Sequence, residues 1–235
     1  MLPLIKIGPI GVSVYWLMFG IGVGSIVVLM QNRRLRYSLT RGKALLFAIL
    51  ITIFGLSGVK LLAVVENWQE VISKGISAAG QSFFGAVLLL PIGMMLCAKA
   101  FRMTKGSALD ATAPCIASMI AIMRVGCFFE GCCGGMEAEL FGFRFHWPTQ
   151  AMESIGDFLI LSILLQMEER NACAEKRYSV FLVGYGILRF FVEFLRDTEK
   201  MLLGLGNGQW FALIAVSIGG AILLRGSEAL RVKNG

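Results

Sequence analysis

The chain has 235 residues, of which 57% are hydrophobic and 16% charged, and its mean hydropathy is +0.75. Soluble domains carry about 25% charged residues, so this composition excludes a soluble globular surface, a disordered chain, a coiled coil and a secreted disulfide scaffold. The net charge of +7 reads as the topology signal of an integral membrane protein and not as a nucleic-acid footprint, so no nucleic-acid partner is expected.

Seven apolar runs follow in order, at about 11–30, 44–65, 82–98, 107–128, 148–167, 179–195 and 209–224. A helix of about 20 apolar residues spans a hydrocarbon core about 30 Å thick. None of the runs alternates as a barrel strand does, so all seven are predicted to be helices, which satisfy their own backbone in lipid. The expected fold is all-α: one polytopic membrane domain over residues 1–235 with seven transmembrane helices. The first run leads directly into Arg33, Arg34 and Arg36 with no small-x-small cleavage site, and is read as a retained span.

The segments 31–43, 99–106, 168–178 and 225–235 hold 14 of the 22 Lys and Arg residues, whereas the alternate segments hold 5. The positive-inside rule puts the first set in the cytoplasm, with the N-terminus outside and the C-terminus cytoplasmic. Gly20, Gly22 and Gly24 in the first span, with Gly184 and Gly186 in the sixth, read as points of close helix approach. Pro91 and Pro114 lie inside the third and fourth spans and are expected to bend them. No segment repeats at a fixed period.

Three basic residues fall within spans: Lys60, Arg124 and Arg189. A charge at mid-bilayer costs at least about 2.5 kcal/mol on the insertion scale, so each needs a reason. Lys60 and Asp110, near span ends, are read as snorkelling to the interface. Lys60, Arg124, Glu153, Asp157, Arg189 and Glu193 fall at a similar depth, which predicts a polar chamber opening outward. Arg189 and Glu193 are spaced i, i+4, with Arg196 a turn beyond on the same stripe. These charges read either as ion pairs joining helices or as an anion site. Guanidinium forks match phosphate oxygens, which favours a phospholipid head group.

The turn Arg124-Val-Gly-Cys127-Phe-Phe-Glu130-Gly-Cys132-Cys133-Gly-Gly135 holds three cysteines and flexible glycines. Its cysteines could shape the backbone, form a disulfide or redox pair, or bind a metal with His146. The spacing is not a C-x-x-C pair, so no metal and no cofactor is expected. His146, the sole histidine, sits beside Trp147 and Pro148 and reads as an interfacial anchor or as an acid-base group.

Several motifs in register then resemble the bacterial prolipoprotein diacylglyceryl transferase family. They are Tyr15-Trp-Leu-Met18, Ser82-Phe-Phe-Gly85, Arg124-Val-Gly-Cys-Phe-Phe-Glu-Gly131, Pro148-Thr-Gln-Ala-Met-Glu153, Gly184-Tyr-Gly186, Arg189-Phe-Phe-Val-Glu-Phe-Leu-Arg196 and Gly208-Gln209. The resemblance implies a multi-pass enzyme of the bacterial inner membrane, its active chamber toward the outer side. It would move a diacylglyceryl group from phosphatidylglycerol to the lipobox cysteine of a prolipoprotein signal peptide, or to a related acceptor. By the same resemblance Arg124 and Arg189 bind the phosphate and Glu193 orients Arg189. Tyr15, Gly126, Gly135, Gln150, Glu153 and Arg196 contribute to substrate binding.

The sequence also departs from the family pattern: Phe84 stands in place of the third-span histidine, and Cys127, Glu130 and Cys132 in place of polar signature residues. The Gly-Cys-Phe-x-x-Gly-Cys-Cys signature marks a divergent branch, in which His146 or Glu130 takes the role of base, or the acceptor differs. The rival readings are a phospholipid-binding or transport protein without chemistry, and a membrane thiol oxidoreductase built on Cys127, Cys132 and Cys133.

Overall fold

A computed structural model describes residues 5–7, 10–140, 142–198 and 202–233, with side chains for 13–139, 142–198 and 203–224. The elements run β1 (Ile5–Ile7), β2 (Ile10–Val12), α1 (Val14–Arg33), α2 (Arg41–Glu66), α3 (Trp68–Lys74), α4 (Phe83–Cys97), α5 (Lys105–Glu130), β3 (Glu137–Leu140), β4 (Phe143–His146), α6 (Thr149–Glu169), α7 (Arg177–Glu193) and α8 (Asn207–Lys233). Each of the seven apolar runs forms a helix, the first of them beginning only at Val14. Five stretches are long and apolar enough to cross a membrane: Val14–Arg33, Arg41–Glu66, Phe83–Phe101, Lys105–Glu130 and Asn207–Leu224. The runs at 148–167 and 179–195 form α6 and α7 but fall outside that set. α6 carries Glu153, Asp157, Glu168 and Glu169, and α7 is 17 residues long with Arg177, Arg189 and Glu193. Much of the two terminal segments counted for orientation lies outside the described side chains.

Two antiparallel hairpins depart from the all-helical expectation. β1 pairs with β2, and β3 with β4 in the register Glu137 to His146 and Leu140 to Phe143. The β3–β4 hairpin lies between predicted runs, whereas β2 takes residues 11 and 12 from the start of the first run; in both places short paired strands satisfy backbone groups that no helix covers.

The chain divides into two compact units. In the unit formed by residues 26–116 and 173–178, α2 crosses α4 at Gly58 and Gly85. A Cβ on Gly58 would lie 2.5 Å from the Gly85 carbonyl oxygen, so only glycine permits this approach. Phe54 covers Gly93 in the same seam, and Phe47 meets Phe101 edge-on with centroids 5.0 Å apart. Lys60 donates to the Gly80 carbonyl at 3.2 Å. Asp110 corrects the snorkelling expectation, being 1% exposed. Its carboxylate accepts from the backbone N–H groups of Glu175 and Arg177, each at 2.7 Å, and pairs with the Arg177 side chain at 3.2 Å. It thereby satisfies orphan donors at the start of α7 and places a negative charge at that helix N-terminus.

In the unit formed by residues 1–25, 117–172 and 179–235, close approaches are again made at glycines. A Cβ on Gly126 would meet the Met18 Cβ at 3.1 Å and the Tyr15 Cα at 3.5 Å, so α1 lies directly on α5. Gly156 receives Leu188 from α7, and Gly186 lies against Ala212 and Val216 of α8. Gly22 packs on Met119, but Gly20 and Gly24 face open space, so the first span's packing role falls to one of its three glycines. Ser118 donates to Ser25 and Ser154 to the Ala121 carbonyl, each at 2.9 Å.

Replacing Asp110 with Ala removes a buried carboxylate together with its ion pair to Arg177 and the bonds it accepts from two backbone N–H groups. The expected loss is about 3 kcal/mol of unfolding free energy, measured by denaturant titration in detergent micelles, with Asp110→Asn losing less because it keeps an acceptor.

Candidate functional site

The charges that the sequence places at one depth come together within the unit formed by residues 1–25, 117–172 and 179–235. Arg124 lies near the C-terminal end of α5, Glu153 one turn into α6, and Arg189 and Glu193 in the last turns of α7. Glu153 pairs with Arg124 through one carboxylate oxygen and with Arg189 through the other. Arg196 Nη1 approaches the same carboxylate at 3.5 Å. Glu193 holds Arg189 Nη2 at 2.7 Å and stands 3.9 Å from Arg196 Nε.

The relative exposures of Arg124, Glu153, Arg189 and Glu193 are 5%, 2%, 8% and 5%, so water screens these pairs little. The expected ligand-binding arginines are thus paired with carboxylates in this structure. Three guanidinium groups face two glutamates, an excess of one positive charge. Asp157, also buried, sits in the electrostatic field of Arg124 and Arg189, and neither of its oxygens has a hydrogen-bond partner among the described residues. Tyr185 adds a phenol beside Arg124, and Tyr15 lies within the field of Arg124 and the three loop thiols.

Backbone chemistry fixes the second glutamate. A Cβ on Gly208 would fall 2.6 Å from the Glu193 carboxylate, so the first turn of α8 must carry glycine there. Gln209 accepts from the Gly206 N–H at 2.9 Å, tightening the same turn.

The turn after α5 is tied to α6 and to the chain beyond α7. Gln150 donates to the Cys132 carbonyl at 2.6 Å, and Thr149 to the Cys133 carbonyl at 3.1 Å. Gly135 N–H donates to the Trp147 carbonyl at 2.9 Å, and Met136 N–H to the Leu195 carbonyl at 2.8 Å. A Cβ on Gly135 would come within 2.5 Å of the Leu195 carbonyl oxygen, which accounts for glycine in this seam. Gln150 and Gly135, expected among the substrate-binding residues, therefore make loop-holding contacts. Sequence reading does not single out Thr149; a hydroxyl in the first turn of a helix, directly after a proline, was the available signal.

Glu130 is exposed at the end of α5, and His146 is exposed at the end of β4 opposite Glu137. Neither makes an ion pair with the arginine cluster among the described residues. Phe84 is a buried residue of α4 in the other unit.

All six cysteines are free thiols, and the sulfurs of Cys127, Cys132 and Cys133 lie within 4.8 Å of one another. Gly131 (φ 72°) and Cys133 (φ 60°) adopt the left-handed conformation that folds the turn back on itself. Hydrogen bonding from Cys127, with the positive charges of Arg196 and Arg124, holds the Cys133 thiol well below the ordinary thiol range. Burial, reinforced by the neighbouring Cys133, raises that of Cys132. With EDTA present, iodoacetamide should therefore modify Cys133 faster than Cys132 at neutral pH. The ratio should fall only as the solution is made alkaline enough for Cys132 to ionise as well, as measured by peptide mass spectrometry.

The profile of the family described as prolipoprotein diacylglyceryl transferase matches residues 3–225. The phosphatidylglycerol–prolipoprotein diacylglyceryl transferase 2 of Clostridium perfringens is 30% identical over 226 residues, covering 89% of this chain and 88% of that protein. The phosphatidylglycerol–prolipoprotein diacylglyceryl transferase of Clostridium tetani is 28% identical, covering 87% and 89%, and that of Dehalococcoides mccartyi strain BAV1 is 27% identical, covering 91% and 88%. The match takes in all five stretches able to cross a membrane and the α5 to α7 region that carries the arginine cluster. This multi-pass membrane protein belongs to the prolipoprotein diacylglyceryl transferase family.

Proposed function

We propose that this protein transfers the diacylglyceryl group of phosphatidylglycerol to the lipobox cysteine thiol of prolipoprotein signal peptides in the bacterial inner membrane, releasing glycerol 1-phosphate. The observation that carries the reading is the convergence of Arg124, Arg189 and Arg196 on Glu153, in a chain whose relatives bear that activity in their names. In this reading the protein is one polytopic domain whose seven long helices all cross the bilayer, with the N-terminus outside and the C-terminus cytoplasmic. Glu153 of α6 is tolerated in lipid because Arg124 of α5 and Arg189 of α7 neutralise it.

The charge balance suits the chemistry. A phosphodiester carries one negative charge; when the glyceryl carbon–oxygen bond breaks, the departing phosphate gains a second. Three guanidinium groups converge where that second charge develops, so the array favours the charge-separated transition state over the bound lipid. Arg124 and Arg189 hold the phosphate. Glu193 and Glu153 fix the guanidinium planes in advance, so little reorganisation is needed as charge develops. Tyr15, beside Gly126 at the α1–α5 contact, lines the lipid side, and Arg196 lies toward the thiol-bearing turn. His146 and Glu130, both exposed, are the acid-base candidates at the acceptor end.

Arg124→Ala and Arg189→Ala should each lower the rate of thioether formation from labelled phosphatidylglycerol and a lipobox peptide in detergent more than about a hundredfold. Arg189→Lys should restore little, because an ammonium cannot span Glu153 and Glu193 as the fork does. Wild-type protein that yields no thioether product with any lipobox peptide would overturn the assignment.

A further inference from the structure

We propose that Cys127, Cys132 and Cys133 form a three-thiolate site for one thiophilic cation of the zinc class, whose fourth coordination position takes the acceptor thiol. The second half of this inference rests on the transferase reading above; the first half does not.

The geometry begins with the backbone. Adjacent cysteines in helix or strand point apart and cannot serve one tetrahedral centre. Here Cys133 has φ 60° and follows Gly131 at φ 72°, and this left-handed turn brings both sulfurs back toward Cys127. A non-glycine residue held in that region costs of order 1 kcal/mol or more and persists only where surrounding structure imposes it. The imposing contacts are visible: Gln150 and Thr149, both buried, hold the Cys132 and Cys133 carbonyls. Cys127 is itself buried near the end of α5, so all three donors are anchored to helices.

Zinc–sulfur bonds are about 2.3 Å, so thiolates around one ion lie roughly 4 Å apart, and the observed spread of 4.8 Å closes by small side-chain rotations. The donor set is sulfur only, which selects a soft or borderline cation over magnesium or calcium. Three protein ligands with one open position is the pattern of catalytic zinc; structural sites use four. Three thiolates on a dication leave one negative charge. Arg196 and Arg124, whose charges act on Cys133, supply compensating positive charge.

Coordination gives the transfer an ionised nucleophile. A cysteine thiol with an ordinary pKa of about 8.5 is mostly protonated at neutral pH. As the acceptor thiol binds the cation, the coordinated water leaves and the thiol proton passes to bulk water. The bound sulfur then forms a bond to the glyceryl carbon, the carbon–oxygen bond breaks, and its electron pair departs on the phosphate oxygen. The thioether product is neutral and a weak ligand, so it leaves and water returns. No oxidant or reductant is required.

Cobalt(II), a spectroscopic stand-in for zinc, tests both halves on the full-length protein in detergent micelles. Expected are sulfur-to-cobalt charge-transfer absorption saturating at one cobalt per chain, tetrahedral ligand-field bands, and displacement by zinc. Cys133→Ser and Cys132→Ser should each weaken cobalt binding more than about tenfold, while Cys173→Ser should not, with elution profile and thermal midpoint confirming that each variant folds. A lipobox peptide should then shift the ligand-field bands, and its Cys→Ser analogue should leave them unchanged. Absence of charge-transfer absorption in wild-type protein that still forms thioether product overturns the metal site and leaves the transferase reading standing. Cobalt binding without any product under zinc overturns the transferase reading and leaves the metal site. Product formation with bound cobalt whose bands ignore the peptide overturns the acceptor seat.

Discussion

A single buried carboxylate organises the functional half of this protein. Glu153 is almost wholly excluded from solvent and meets three guanidinium groups, from α5, from α7 and from the chain beyond α7. Removing one partner of a buried ion pair costs about 3–5 kcal/mol, because the other is left uncompensated, and each cation is separately expensive at membrane depth. The groups are tolerable only together. Helices α5, α6 and α7 must therefore approach within side-chain reach, and the glycines meet that requirement. Gly126 admits α1 beside Arg124, Gly156 admits Leu188, Gly186 admits α8, and Gly208 leaves room for the carboxylate of Glu193.

The same constraint joins the arginine–glutamate cluster to the thiol-bearing turn. Thr149 and Gln150 precede Glu153 on α6 and hold the Cys132 and Cys133 carbonyls, while Met136 bonds to Leu195, the neighbour of Arg196. Anything that fixes the first turn of α6 fixes both the arginine–glutamate array and a cluster of sulfurs. Preorganisation of this kind is bought in folding, where buried charges are held in place before substrate arrives. The strained φ of Cys133 belongs to the same account.

Much of the fold was legible because lipid simplifies the code: long apolar runs become helices, and all seven runs did so, most within a few residues of their predicted ends, though α8 continues nine residues past the predicted 224. What escaped depended on partners distant in sequence. Asp110 reads as an ordinary charge near a span end, yet its donors are the backbone amides of residues 175 and 177. Gly20, Gly22 and Gly24 are equivalent in sequence, but only Gly22 meets a neighbour. The β3–β4 hairpin does alternate polar and apolar residues, Glu-Ala-Glu-Leu against Phe-Arg-Phe-His, but each strand is only four residues long, too short a period-2 signal to stand out. The i, i+4 spacing of Arg189 and Glu193 did foretell their pairing, since a helix alone enforces it.

Sequence by itself determined that this is an integral membrane chain, where its helices run, which few charges interrupt the apolar runs, and which family it joins. Those features follow from local composition and from ordered motifs, and neither needs three-dimensional contact. Only the tertiary structure decided that the arginines are held by glutamates, that Gln150 and Gly135 secure a turn, and that three cysteines of unpromising spacing face one another. A left-handed residue and two hydrogen bonds from α6 produce that convergence. Linear spacing cannot reveal it, because the direction of adjacent side chains is set by backbone angles that neighbouring helices impose.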